Sequence, residues 1–126
     1  MGADGPGELG KLFEKYFGDG DLEQMMTLYE DDAIFPTHSV TATGGEEIRK
    51  VLQAYLDSGA KLAFGDSLVF QMDDLALTHT AWTMEATDGS IVEGATAEVA
   101  RRQPDGTWKF IIDNPDGTAL LKHPEG

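Results

Sequence analysis

The sequence contains no cysteine. That absence excludes a disulfide framework, a thiolate zinc site and a cysteine nucleophile, and it fits a reducing compartment. Cations are scarce as well: nine lysines and arginines stand against twenty-three aspartates and glutamates, a formal charge of −14. Such a balance repels phosphate backbones and anionic membrane surfaces, so neither nucleic acid nor a membrane is an expected partner. No apolar run approaches the length of a membrane span. The opening residues Met1 to Gly7 are Gly-rich and acidic, without the charged-then-apolar order of a signal sequence. The expected location is therefore cytoplasmic. His-x-His and His-x-x-x-His pairs, a calcium-loop pattern, a serine-nucleophile motif, a phosphate loop and a dinucleotide-binding motif are all missing, and no metal or cofactor is expected.

What is present suits one domain with one sizeable core: 126 residues, 40% of them apolar. Leu9, Leu12, Phe13, Tyr16 and Phe17 recur at the spacing of an amphipathic helix that Gly18-Asp19-Gly20 ends. Asp21 stands where an N-cap belongs, with Gln24 three residues on, and Met25, Met26, Leu28 and Tyr29 follow on one face of a short second helix. Ala33-Ile34-Phe35, stopped by Pro36, reads as a short strand at a sheet edge or an extended entry to a loop, and Thr37 to Gly44 as loop. Thr43 with Glu46 repeats the capping pattern ahead of a third helix carrying Ile48, Val51, Leu52, Tyr55 and Leu56, which Ser58-Gly59 stops.

From Ala60 onward the period shortens to two, and Asp73-Asp74, Asp88-Gly89 and Asp105-Gly106 supply turns. This spacing predicts four strands, near Lys61 to Gln71, Leu75 to Ala86, Ile91 to Arg102 and Thr107 to Asp113, joined as an antiparallel meander. Helices first and a meander after them is the α+β order, with a curved sheet against helices on one face. The domain is expected over residues 8 to 115, between an N-terminal tail of residues 1 to 7 and a C-terminal tail of residues 116 to 126.

Three segments carry a family resemblance: Gly18-Asp19-Gly20-Asp21-Leu22, Leu28-Tyr29-Glu30-Asp31-Asp32-Ala33-Ile34-Phe35, and Gly44-Gly45-Glu46-Glu47-Ile48-Arg49. Together with the closing stretch Arg101 to Phe110 they resemble the NTF2-like superfamily, and within it the ketosteroid-isomerase-like and SnoaL-like small proteins. The resemblance implies a cone-shaped NTF2-like (cystatin-like) roll whose wide end opens on a cavity for a flat apolar ligand. It says much less about chemistry, because one scaffold hosts isomerases, dehydratases, cyclases, hydrolases and non-catalytic domains.

If the meander wraps the helices, strand parity suggests what faces in. Thr80, Trp82 and Met84 are bulkier and more apolar than His79, Ala81, Thr83 and Glu85. The same parity turns Trp108, Phe110, Ile112 and Asn114 inward and Lys109, Ile111 and Asp113 outward. With Phe13, Phe17, Met25, Tyr29, Phe35 and Tyr55 these form the expected pocket, and Tyr16 lies on the helix that would supply a phenol.

Glu98 matches the strand position where ketosteroid isomerases keep a protonated acid that donates to the substrate oxyanion. Among Trp82, Met84 and Phe110 its pKa should rise. Two departures weaken isomerase chemistry. The family's oxyanion-binding tyrosine aligns with Phe13, and its aspartate base with Thr37, which is no base at neutral pH. Among the histidines, His38 is best placed, at the cone mouth; His79 has outward parity and His123 sits in the tail.

The leading expectation is a domain that binds a small apolar or aromatic molecule whose polar group meets Glu98 and Asn114. One alternative is an isomerase, dehydratase or cyclase using His38 or Glu98 on a polyketide-like or steroid-like substrate. The other is a non-catalytic assembly domain, a homodimer paired through an outer sheet face with His79, Ala81, Thr83, Val99 and Arg101.

Overall fold

The computed structural model describes residues 2–121. Helix α1, Glu8–Asp19, ends at Gly20, whose N–H returns to the Phe17 carbonyl. Helix α2, Leu22–Met26, opens on Asp21, whose side chain accepts from the Gln24 N–H. It stops two residues short of Tyr29, which is a strand residue and not a helical one: β1 spans Tyr29–Pro36. The expected loop from Thr37 to Gly44 contains a short strand β2, Thr41–Thr43, paired antiparallel to β1. Helix α3, Gly45–Asp57, follows. Its cap differs from the Thr43/Glu46 expectation because Gly44, at φ 86°, takes the N-cap position. Glu47 then receives the Thr43 N–H at 2.9 Å.

The remaining strands are β3 (Lys61–Met72), β4 (Leu75–Glu85), β5 (Ile91–Ala95), β6 (Ala97–Arg102) and β7 (Trp108–Asn114). The sheet order is β2-β1-β7-β6-β4-β3, with β5 also on β4. The expected meander is present, but the sheet is mixed, since β1 lies parallel to β7. The third meander strand is split at Thr96. There the Thr80 N–H is received at 2.8 Å by the Thr96 hydroxyl, and the Thr96 carbonyl turns to His79 Nδ1 at 2.9 Å. A carbonyl can only accept, so Nδ1 of His79 carries a proton.

Leu9, Phe13 and Phe17 from α1, Met25 from α2, and Ile48 and Leu52 from α3 pack with Phe35, Ala76, Ala100, Trp108 and Phe110 of the sheet in one core. The segment before α1 joins that core and is no free tail. Ala3 is fully buried and its carbonyl accepts from the Trp108 N–H at 3.0 Å.

Two bulges decide which side chains face the core. In β3 the partners Phe64↔Trp82 and Ser67↔Thr80 differ by one residue in register, so Leu62 and Phe64 face in, while Leu68, Phe70 and Met72 face out. In β7 the partners Phe110↔Ala100 and Ile112↔Val99 leave Ile111 as the extra residue. Beyond Ile111 the expected parity reverses: Ile112 is 37% exposed and Asp113 is buried. On the outer face the reversal completes an apolar row. Phe70 pairs with Leu77, Leu77 with Val99, Val99 with Ile112 and Ile112 with Ile34, across five strands.

Candidate functional site

A cavity of about 140 Å³ opens between the helices and the concave face of the sheet. Phe13 and Phe17, one helical turn apart on α1, form one wall, and the Phe13 ring lies nearly parallel to Phe64 with centroids 6.1 Å apart. Phe35 from β1 and Tyr55 from α3 face each other with centroids 6.3 Å apart. Leu62 and Phe64 from β3 and Trp82 and Met84 from β4 complete the apolar lining. Trp82 is fixed at both ends of its indole. Its N–H donates to the Pro115 carbonyl at 2.6 Å, and its ring lies against Gly94, where a Cβ would collide with the ring.

The polar end is made by Thr96, Glu98, Asp113 and Asp116. Glu98 faces in, as parity requires, and is 5% exposed. Its Oε1 accepts from the hydroxyls of Thr78 and Thr96, each at 2.9 Å. Asp113 accepts at Oδ2 from the buried Tyr29 hydroxyl at 2.6 Å, and its carboxyl hydrogen-bonds that of Glu98. Two adjacent carboxyls away from water cannot both ionise cheaply. Burial, and then the charge of Asp113, holds Glu98 well above the usual carboxylate range. Burial raises Asp113 to about 6 against the lowering pull of its bonds to Tyr29 and Glu98. Near neutrality the pair therefore keeps a proton between its two carboxyls. The hydroxyls of Thr78 and Thr96 already fill Oε1, and the strand register sets Glu98 opposite Asp113. Burial, followed by the Asp113 charge, also keeps the Tyr29 phenol protonated.

The structure brings Phe13, Phe17, Phe35, Tyr55, Trp82, Met84 and Glu98 together on the cavity. It places the other expected residues elsewhere. Met25, Trp108 and Phe110 are core, with Trp108 at the far end of β7 beneath the Arg102 guanidinium. Tyr16 is half-buried beside the core. Tyr29 meets the site only through the hydroxyl that holds Asp113, and Thr80 bonds Ser67. The bulge at Ile111 turns Ile112 outward, and Asn114 bonds Gly117 and Asp116 in the turn after β7. His38 is at the mouth but 65% exposed, with Nε2 3.4 Å from Asp116. His123 lies outside the described residues.

Sequence reasoning turned Asp113 outward and missed Asp116, Pro115, Leu62 and Phe64. Leu62 and Phe64 carried a legible signal in their alternation with Lys61, Ala63 and Gly65. For Asp113 the only hint was Phe110-Ile111-Ile112, three apolar residues in a row where alternation should hold.

A family model described as the SnoaL-like domain matches residues 10–114. No curated protein gives a significant match. Among solved structures, a cystatin-like protein of unknown function from Nostoc punctiforme is 20% identical over 86% of this chain and 85% of its own, with a TM-score of 0.76. An NTF2-like protein with a cystatin-like fold from Novosphingobium aromaticivorans is 20% identical over 92% of this chain and 86% of its own, TM-score 0.75. An NTF2-like family protein from Streptomyces avermitilis, provisionally called a dehydratase, is 18% identical over 86% and 89%, TM-score 0.73. At these identities the structures speak for the NTF2-like, cystatin-like α+β fold, and the family match, over most of the chain, makes this protein a member of the SnoaL-like family.

Proposed function

We propose that this domain binds a small, flat, apolar molecule in the cavity, with the molecule's polar group against the Glu98–Asp113 pair. The observation that carries this reading is an almost wholly apolar, aromatic chamber with a single polar end. Its volume of about 140 Å³ is close to the roughly 150 Å³ in which an apolar cavity accepts a benzene ring. Benzyl alcohol is a fitting probe, and the two tryptophans report on it differently. Trp82 lines the cavity, and Trp108 is buried away from it. Titration with benzyl alcohol should move the Trp82 indole N–H resonance saturably and leave that of Trp108 in place. No saturable change at Trp82 into the millimolar range would remove the reading.

A specific observation favours a second reading, acid–base catalysis by an isomerase, dehydratase or cyclase. On this reading Asp113 of β7 takes the place of the base that the sequence lacked at Thr37. An Asp113 carboxyl titrating at about 6 beside a protonated Glu98 is an acid and a base of separated strengths in one chamber.

The outer sheet face supports a homodimer. Phe70 is 58% exposed, Leu77 41%, and they continue through Val99 to Ile112 and Ile34. The charges beside the row are internally paired, Arg101 with Glu30 and Arg102 with Asp74, so the chain's acidity is not concentrated there. An apolar band of this extent marks an interaction surface. Sedimentation at micromolar concentration should show a dimer that Leu77→Lys converts to monomer. A wild-type protein that is monomeric at that concentration speaks against the pairing.

A further inference from the structure

The composition of the chamber points to a ligand class, an inference that rests on the pocket reading above. Six aromatic rings line it: Phe13, Phe17, Phe35, Tyr55, Phe64 and Trp82. Among the described residues its carboxyl groups are Glu98, Asp113 and Asp116, and no lysine, arginine or histidine is on its wall; His38 lies outside that lining, 3.4 Å from Asp116. We propose that the cavity takes a compact aromatic or aliphatic amine in its ammonium form, with the apolar body among the rings and the N–H groups on the Glu98–Asp113 pair.

The hydrogen bonding of the polar end leads to this class. Oε1 of Glu98 is saturated by Thr78 and Thr96, and the two carboxyls, set opposite each other on neighbouring strands, hydrogen-bond through a shared proton. The pair therefore presents lone pairs to the chamber and not a free donor. A ligand carbonyl or oxyanion would have to break the bond between the carboxyls before finding a proton. An N–H group finds acceptors already in place.

Charge acts in the same direction. A carboxylate ligand would enter a low-dielectric space beside Asp113 with no cation among the described lining residues to offset it, whereas an ammonium leaves water for a carboxylate partner and aromatic faces that attract cations. Asp116 at the mouth and the chain's net charge of −14 favour the approach of a cation over that of an anion. The aromatic body supplies the burial, and the ammonium supplies the discrimination.

Three probes of one shape separate the outcomes: benzylamine, benzyl alcohol and benzoate, each titrated near neutral pH with the Trp82 and Trp108 indole resonances as reporter and control. Benzylamine should bind at least about tenfold more tightly than benzyl alcohol, as a charge-assisted hydrogen bond allows, and benzoate should give no saturable shift. Asp113→Asn should erase the advantage of benzylamine while benzyl alcohol still binds. Equal affinity for benzylamine and benzyl alcohol, or saturable binding of benzoate, overturns the amine assignment and leaves the pocket reading standing. Silence from all three probes overturns both.

Discussion

Asp113→Ala is expected to lower the unfolding free energy by about 2–4 kcal/mol, a decrease of roughly 10 °C in Tm, while Asp113→Asn should cost about 1 kcal/mol or less. The difference follows from what the carboxyl holds. Alanine leaves the buried Tyr29 hydroxyl without its acceptor and the Glu98 proton without its partner, and each buried polar group so orphaned costs about 1–3 kcal/mol. Water entering from the adjacent cavity recovers part of that. Asparagine keeps an oxygen for Tyr29 and presents an amide to Glu98. Tyr29→Phe is the internal comparison, since it removes a donor but leaves the carboxyl pair, and about 1–2 kcal/mol is expected. Thermal and urea denaturation of the three variants measure this order. If alanine and asparagine proved equally mild, the Tyr29–Asp113–Glu98 chain would not support the fold as described. The asparagine variant also separates stability from chemistry. If the pair catalyses, a folded Asp113→Asn that still binds benzyl alcohol should lose roughly 10²–10⁴-fold in turnover, the usual share of a general base. Unchanged turnover would remove Asp113 from the mechanism.

The central role of Asp113 also shows where the sequence stopped being readable. Three helices, the meander and the inward parity of β4 followed from periodicity, because each burial pattern there is set by local alternation. Glu98 was legible for the same reason: β6 pairs with β4 in one unbroken register from Leu75↔Arg101 to Thr78↔Glu98. Asp113 was not, because its facing is set by a single extra residue, Ile111, whose position is a property of the pairing between β6 and β7. A one-residue slip exchanges the two faces of a strand, and here it exchanged an asparagine for a carboxylate at the polar end of the cavity. The apolar row on the outer face was hidden by the same mechanism. The bulge after Phe64 sends Phe70 outward, and the one at Ile111 sends Ile112 there too, so the continuous apolar row is visible only once both registers are known. Tyr29 shows a different limit. Its spacing from Met25 and Met26 suits a helix face, but α2 ends at Met26 and the tyrosine begins β1, where tertiary packing against Phe110 outweighs the local period.

The pH dependence of stability tests the protonation of the pair without a ligand. Asp113, raised by burial to about 6, holds a proton in the folded state at pH values where the unfolded chain has already released it. For a group raised in this way the stabilising contribution is complete below its unfolded value, near 3.8, and is lost as pH rises through about 6. Glu98, raised by burial and then by the Asp113 charge, carries the loss to higher pH. The acid limb runs the other way. Hydrogen bonds and charge from Arg49 hold Glu23 below its usual value, and Arg101 and Gln103 do the same for Glu30. Those contributions disappear as pH falls through the depressed values, but Glu23 is largely exposed, and Glu30, though half-buried, pairs with an exposed Arg101, so solvent screens both. The maximum of stability is therefore expected in mild acid, between about pH 4 and 6, and the fall toward pH 8 should be on the order of 1–3 kcal/mol. Repulsion among the surface carboxylates that give the chain its charge of −14 has the same sign, so the slope alone does not assign the effect. Asp113→Asn does. It removes one titrating member of the pair and relieves the other of a neighbouring charge, and it should flatten most of the decline between pH 5 and pH 8 while leaving the surface contribution intact. Urea denaturation of both proteins across that range measures the difference. A wild-type stability that is flat or rises from pH 5 to pH 8, or a decline that asparagine leaves untouched, would show that the pair does not hold its proton in the folded state.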